Sequence, residues 1–121
     1  MDFYIRQGAT DPIIKMRLVD DGKNDKSSFN ELLTTSEITF EMSDTKTGIP
    51  VILNEPASLA LRVKKYNQTT DEYYIVYRFT EEQTALTGKY EGKFTIQFLE
   101  NGIPSNKLIV PIRDRLWIHI V

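Results

Sequence analysis

Hydrophobic and polar residues alternate with a period of two along most of this chain. Large apolar residues occupy every second position in four segments, 14–18, 38–42, 59–63 and 94–98. This alternation is typical of a β-strand with one buried face and one face in water. Aromatic and β-branched residues, which suit a pleated half-buried surface, dominate residues 73–79, and apolar runs follow at 108–112 and 116–121. The pattern predicts about seven strands.

Turn chemistry separates these segments. Asp21-Gly22 and Asn101-Gly102 are hairpin signals, because glycine and its Asn or Asp neighbour tolerate a positive φ. Since Pro104 follows the second pair closely, we expect that loop to be longer than two residues. Pro111 cannot donate a ladder hydrogen bond, so its strand is predicted to lie at an edge or to be interrupted there.

Helix is predicted only as one or two short turns. Residues 80–86 begin with Thr80 and carry Gln83 three positions later, the capping-box spacing, and residues 29–33 are a second candidate. Short strands separated by turns favour a β-sandwich or a small barrel. We predict an all-β fold with seven to nine strands, for which the pattern alone leaves the sandwich and the barrel open. One domain is expected over residues 1–121.

Composition narrows the function classes. The 121 residues contain no cysteine, which excludes disulfides, thiolate metal sites and a cysteine nucleophile. Fifteen Lys and Arg against 17 Asp and Glu give a net charge of −2, so no basic field attracts nucleic acid. No apolar run reaches the ~18 residues of a membrane span, and the first residues do not match a signal peptide, so no membrane partner is expected.

No constellation of catalytic, cofactor-binding or metal-binding residues is predicted. His119 is the only histidine, and with no cysteine only carboxylates could join it in a metal site. The adjacent pairs Glu81-Glu82 and Asp71-Glu72 do not converge as an acid–base dyad would require. We therefore expect a protein that is not an enzyme and has no cofactor.

Alternation also predicts which apolar side chains face outward. If Tyr73, Ile75, Tyr77 and Phe79 point inward, their neighbours point outward, and the same holds if Leu116, Ile118 and Ile120 point inward. The outward apolar or aromatic candidates for protein contacts are Tyr74, Val76, Trp117, His119 and Val121. Three interpretations stay open: contact with another chain, cover by a loop of the same chain, or a sugar-stacking platform. We also expect the last strand to leave an edge to which a neighbouring strand could add.

The order of short motifs resembles the N-terminal domain of phage baseplate upper proteins. Residues 6–13, Arg-Gln-Gly-Ala-Thr-Asp-Pro-Ile, resemble the family's opening R-Q-G-(D/A)-T-x-P-(I/V). Residues 87–94 are similar to its T-x-x-G-x-Y-x-x-x-F strand, and 111–120 resemble its final proline followed by an aromatic-Ile-x-Ile strand. Residues 18–23 and 37–42 resemble two intervening elements, whereas 29–33 depart from the family's Asp-Leu-Thr-Gly element.

The resemblance implies a single antiparallel β-sandwich of the immunoglobulin-like type. It also implies a non-enzymatic bacteriophage virion protein of the tail, baseplate, neck or head. Its implied partners are other virion proteins, copies of the chain itself among them, and its implied location is the virion, assembled in the bacterial host cytoplasm. The alternative is a carbohydrate-binding β-sandwich module, for which Tyr66, Tyr73 and Tyr74 are the candidate aromatic platform.

Overall fold

The computed structural model describes residues 1–18, 35–62 and 72–121, which form nine β-strands and contain no helix. The strands are β1 Asp2–Ile5, β2 Ile14–Leu18, β3 Glu37–Asp44, β4 Pro50–Pro56, β5 Ser58–Arg62, β6 Glu72–Tyr77, β7 Gly88–Glu100, β8 Ile103–Val110 and β9 Leu116–Ile120. The predicted all-β class and strand number are confirmed.

The strands form two packed sheets, as expected of a β-sandwich. The larger sheet has six strands in the order β1-β9-β7-β3-β4, with β8 also paired to β7, and the smaller has the order β2-β6-β5. Six of the seven strand pairings are antiparallel, whereas β1 pairs with β9 in parallel. Because β9 lies between β1 and β7, the free edge expected beside the last strand is occupied by β1.

An aromatic cluster joins the two sheets. Phe40 of the larger sheet is fully buried, and its ring stacks on Tyr77 of the smaller sheet with centroids 4.5 Å apart. Phe94 lies 4.8 Å from the Phe40 ring and Phe79 meets it edge-on at 5.8 Å. These residues occupy the inward positions of the alternating pattern, so the period of two places them between the sheets.

The long strand β7 pairs with two partners along one side. Residues 88–92 pair with β9, and residues 94–100 pair with β8. The strands β8 and β9 thus lie end to end beside β7, separated by residues 111–115. The predicted interruption at Pro111 is confirmed, since β8 ends at Val110.

The hairpin between β7 and β8 is tighter than expected. Asn101 and Gly102 both adopt a positive φ, and Glu100 pairs directly with Ile103, so the loop has two residues. The prediction of a longer loop was wrong because Pro104 lies inside β8. The register between β7 and β8 is irregular between Gln97 and Leu99. Gln97 Nε2 donates hydrogen bonds across this irregularity to the carbonyls of Ser105 and Asn106 in β8.

The sequence pattern did not predict β1 or β4. The strand β4 contains Pro50, Asn54 and Pro56, which are residue types typical of turns, and its apolar and polar residues do not alternate cleanly. It forms an irregular edge strand in which Asn54 has a positive φ and the register to β3 shifts twice. Tertiary pairing with β3 therefore overrides the weak local signal.

Residues 80–86 form a turn rather than the predicted helical segment. The capping-box hydrogen bonds are present: Thr80 N donates to Gln83 Oε1 at 3.0 Å, and Gln83 N donates to Thr80 Oγ1 at 3.3 Å. Tyr77 also donates its hydroxyl to Gln83 Oε1. The local pattern thus fixes a turn at the end of β6, but no helix follows. The other candidate, 29–33, lies outside the described residues.

This turn binds the connection between β1 and β2. Gln7 Nε2 donates to the carbonyl of Ala85 at 2.7 Å, and Gly8 N donates to the carbonyl of Thr84 at 3.0 Å. The fully buried Thr84 donates its hydroxyl to the carbonyl of Ala9 at 2.9 Å. The two sheet-crossing connections are therefore locked to each other by reciprocal hydrogen bonds.

We expect Thr84→Val to destabilise the fold by about 1–2 kcal/mol, because the isosteric side chain at this buried position leaves the carbonyl of the half-buried Ala9 without this donor. Chemical denaturation measures the change, and Thr87→Val, in the exposed end of the same connection, is the control. Equal stability of Thr84→Val and the native chain would show that the hydroxyl does not hold this junction.

Gly92 allows β7 to approach the core closely. A Cβ at this position would lie 2.6 Å from Cδ1 of Ile118 and 3.1 Å from the ring of Phe40. We expect Gly92→Ala to lower the free energy of unfolding by about 1–3 kcal/mol, because the added methyl group overpacks the core. Adding Ile118→Val removes the atom in closest contact, so the double variant should lose less stability than the sum of the two single variants. Strict additivity in denaturant unfolding would contradict this explanation.

Candidate functional site

The five predicted contact residues do not form one surface. Tyr74 and Val76 lie on the outer face of the three-stranded sheet, since Ile75 and Tyr77 between and beyond them are buried. Trp117 and His119 lie on the outer face of the six-stranded sheet. The predicted alternation is confirmed in both strands, but it divides the candidates between opposite sides of the sandwich.

His119 is covered by side chains of β1. Its Nε2 atom lies 2.8 Å from Oδ1 of Asp2, and its ring stacks on Tyr4 with centroids 4.5 Å apart and planes 13° from parallel. The parallel register pairs Tyr4 with His119, which places both rings on the same face. The side chain of His119 keeps only 22% of its surface exposed.

Trp117 is covered by two cations. Lys89 Nζ lies 4.3 Å from the ring centroid, and the Arg115 guanidinium carbon lies 5.9 Å from it. Arg115 also approaches Glu91 at 3.5 Å, and Glu91 is the residue paired with Trp117 across the sheet. We name Trp117 and His119, together with the residues that contact them, the Trp117–His119 cluster: Asp2, Tyr4, Lys89, Glu91, Arg115, Trp117 and His119.

Of the three interpretations of these residues, the contacts in the cluster favour the one in which side chains of the same chain cover the rings of Trp117 and His119. The covering groups are side chains of neighbouring strands and of the 111–115 connection, not the loop that the sequence suggested. A cation–π contact at such a site contributes about 0.5–1 kcal/mol, so displacing it by a partner carries a cost. Val121, beyond the end of β9, is 61% exposed and is not part of this cluster.

The proposed sugar platform does not assemble from adjacent tyrosines. Tyr73 packs against the core and Tyr74 faces outward, so the two rings lie on opposite faces of β6. Tyr66 lies outside the described residues. A shallow depression of about 340 Å³ does adjoin Trp117, and its polar lining comes from residues 43–45, Glu91 and Arg115.

The more exposed apolar surface lies elsewhere on the six-stranded sheet. Ile109 of β8 is 49% exposed and Leu53 of β4 is 58% exposed, and both face outward because their neighbours Val110 and Ile52 are buried. Cross-strand pairing joins Ile109 to Thr95, Thr95 to Thr39, and Thr39 to Pro56. One row of apolar and methyl-bearing side chains therefore crosses four strands.

A row of charge lies beside this apolar row. Lys93 pairs with Glu41 across β7 and β3, and Lys93 Nζ lies 3.1 Å from Glu41 Oε1. We name the surface that comprises both rows the four-strand face: Thr39, Glu41, Leu53, Pro56, Lys93, Thr95 and Ile109. The alternating pattern does not reveal this face, because it does not predict β4 and because strand order cannot be read from alternation alone.

No metal-binding cluster is present in the part of the chain that the structure describes. Residues 1–18, 35–62 and 72–121 contain no group of three or more His, Asp or Glu side chains arranged to hold a metal ion. Within the same ranges, no helix is long and apolar enough to cross a membrane. Glu81 and Glu82 are exposed residues of the turn after β6, and Asp71 lies outside the described residues.

Comparison of the chain with protein-family models, with curated proteins and with solved structures finds no match in any of the three.

The Asp2–His119 contact should give stability a specific pH dependence. The hydrogen bond from His119 lowers the pKa of the Asp2 carboxyl, and the positive charges of the N-terminus, His119 and Lys89 act in the same direction. A lowered carboxyl pKa stabilises the fold above the unfolded-state value of about 3.9. This contribution is lost as the pH falls through the lowered native pKa.

We therefore expect Asp2→Asn to melt below the native chain at pH 6 and the difference to shrink as the pH falls below about 4. Thermal unfolding across this range measures the effect. Asp114→Asn, which removes an exposed carboxylate from the connection between β8 and β9, is the matched control. A difference between Asp2→Asn and the native chain that does not change with pH would contradict the assignment.

Proposed function

We propose that this chain is a non-enzymatic bacteriophage virion protein whose immunoglobulin-like sandwich docks onto other virion proteins through the four-strand face. The observation that carries the docking assignment is the row from Ile109 to Pro56, which crosses four strands with these two exposed apolar residues at its ends and the half-buried Thr95 and Thr39 between them. Exposed apolar groups that are contiguous and bordered by charge are typical of protein contact surfaces.

The residues that carry the resemblance to baseplate upper proteins have defined structural roles. Gln7 and Gly8 of the opening motif bind the turn after β6, and Gly8 has a positive φ of 77°. In the second motif, Tyr90 is buried, and Phe94 is fully buried with its ring 4.8 Å from that of Phe40. A shared motif of this kind supports a shared sandwich, and the virion assignment rests on that likeness.

Strand order supports the immunoglobulin-like type. The larger sheet contains the run β9-β7-β3-β4 and the smaller contains β2-β6-β5, the same relation that strands G-F-C-C′ and B-E-D have in a variable-type domain. Tyr90 of β7 donates its hydroxyl to the carbonyl of Leu86 at 2.9 Å, across the connection from β6. That bond has the position of a tyrosine corner in such sandwiches.

The edge strands of the larger sheet also favour docking through a face, because they have features that discourage the addition of a strand from a partner. The edge strand β4 carries a proline at each end and an irregular register, features that discourage strand addition. On the opposite side the sheet ends in two strands, β1, which has only four residues, and β8, whose eight residues include Pro104 and Lys107. Each edge strand of this sheet is thus short, irregular or carries proline, and these features favour a face of the sheet as the docking surface.

Mass spectrometry of purified phage particles tests the virion assignment. We expect peptides of this chain in particles from a host that produces the encoding phage, at a constant ratio to a capsid protein across gradient fractions. Particles assembled with an Ile109→Glu chain should contain less of it, because a buried charge opposes docking. Absence of the native chain from infectious particles would overturn the proposal.

A glycan array tests the carbohydrate-binding alternative. Binding by the native chain that Trp117→Ala abolishes would favour that function, since Trp117 adjoins the polar depression. We expect no such binding, because Lys89 and Arg115 already lie over the ring.

A further inference from the structure

We propose that the four-strand face associates with the same face of a second copy, about a two-fold axis parallel to the strands. The inference deepens the proposed function by naming a partner for that surface, and its role in a particle rests on that function. The register of β4, β3, β7 and β8 fixes where each side chain lies on the face.

The four strands lie side by side in the order β4, β3, β7, β8. A two-fold axis runs between β3 and β7, parallel to them and in the plane of the interface. It places β7 opposite β3 of the second copy, and β8 opposite β4 of the second copy. Positions along the strands are unchanged by this rotation, so each row of side chains meets the same row of the other copy.

The charged row is self-complementary under this operation. Lys93 of one copy meets Glu41 of the second copy, and Glu41 of the first meets Lys93 of the second. Each copy already joins these two side chains at 3.1 Å, so association creates a ring of four alternating charges. Placing opposite charges together gives orientation and specificity to an interface.

The apolar row is self-complementary as well. Ile109 of one copy meets Pro56 of the second copy, and Thr95 meets Thr39. Leu53 lies beside this row at the level of Glu41, because the neighbouring Ile52 pairs with Met42 and Glu55 pairs with Phe40. Association therefore removes from water the side chains that are most exposed on this face, Ile109 at 49% and Leu53 at 58%. A two-fold axis in the same plane but perpendicular to the strands would instead place β7 on β7 and β3 on β3. Lys93 would then not meet Glu41 of the second copy.

The interface is small. Four strands about 4.8 Å apart and about five residues long cover roughly 300 Å² of sheet, below the ~800 Å² per partner of a standard interface. We expect a reversible dimer with a dissociation constant on the order of 100 µM. Tethering several copies in one particle raises their effective concentration, so contacts of this strength become populated there.

Analytical ultracentrifugation of the full chain up to about 1 mM tests the dimer, a concentration roughly tenfold above the expected dissociation constant. We expect the weight-average mass to rise toward that of a dimer, and Ile109→Glu to weaken association roughly tenfold or more. Leu86→Glu is the matched control, because Leu86 is 73% exposed but lies in the connection before β7, away from the four-strand face. A monomer at every concentration, or a dimer that Ile109→Glu leaves intact, would overturn the inference.

Charge exchange tests the axis itself. Lys93→Glu and Glu41→Lys should each weaken association, and the double variant should restore it, because the two-fold brings the exchanged charges together again. The pair within each copy is also broken and restored, so thermal unfolding at low concentration is measured alongside to separate that effect. Single variants that change unfolding but leave association unchanged would contradict the proposed axis.

The outcomes for this inference and for the proposed function are separable. A chain that is present in phage particles but monomeric in the ultracentrifuge would retain the virion assignment and overturn the self-association. A dimer with the predicted variant pattern, from a chain absent from particles, would do the reverse.

Discussion

The fold depends on the aromatic contact that joins the two sheets. Phe40 of β3 meets Tyr77 from the opposite sheet and Phe94 from its own sheet, and all three rings are buried. Burial of an aromatic side chain of this size, together with its ring contacts, contributes several kcal/mol. Because the side chains of Phe40 and Phe94 point into this cluster, their neighbours along β3 and β7 point away from the core.

The outer faces are a consequence of that inward anchoring. Fixing Phe40 and Phe94 inward obliges Thr39, Glu41 and Lys93 to face outward, whatever they contact there. The same logic turns Trp117 and His119 outward from β9, where β1 and β7 supply the groups that cover them. One outer surface thus has its aromatic residues covered within the chain, while its neighbour, the four-strand face, leaves Ile109 and Leu53 exposed.

Local pattern was enough to predict the strands with clean alternation, but not the elements defined by tertiary pairing. The strands β2, β3 and β9 follow directly from their alternating residues, β6 follows from its aromatic and β-branched residues, and alternation predicted residues 94–98 of the longer β7. The four residues of β1 are too few to show a period, and β4 contains two prolines and a residue with positive φ. Both exist because a neighbouring strand supplies hydrogen-bond partners that no local signal reports.

The candidate site follows the same division. Alternation correctly identified Trp117 and His119 as outward-facing, but their covering groups Asp2 and Tyr4 lie more than 100 residues away in the chain and belong to the unpredicted β1. Likewise, Ile109 and Thr39 come together only through β7, which pairs with both of their strands. Strand order, rather than residue type, decides which exposed side chains form a surface.

Concentration-dependent nuclear magnetic resonance spectra of the backbone amides test most directly that the four-strand face, and not the Trp117–His119 cluster, is the docking surface. The account predicts that raising the protein concentration shifts or broadens the amide signals of Thr39, Lys93 and Ile109 while those of Tyr4 and His119 change little. Changes concentrated at Tyr4, Trp117 and His119, with the four-strand face unaffected, would contradict it.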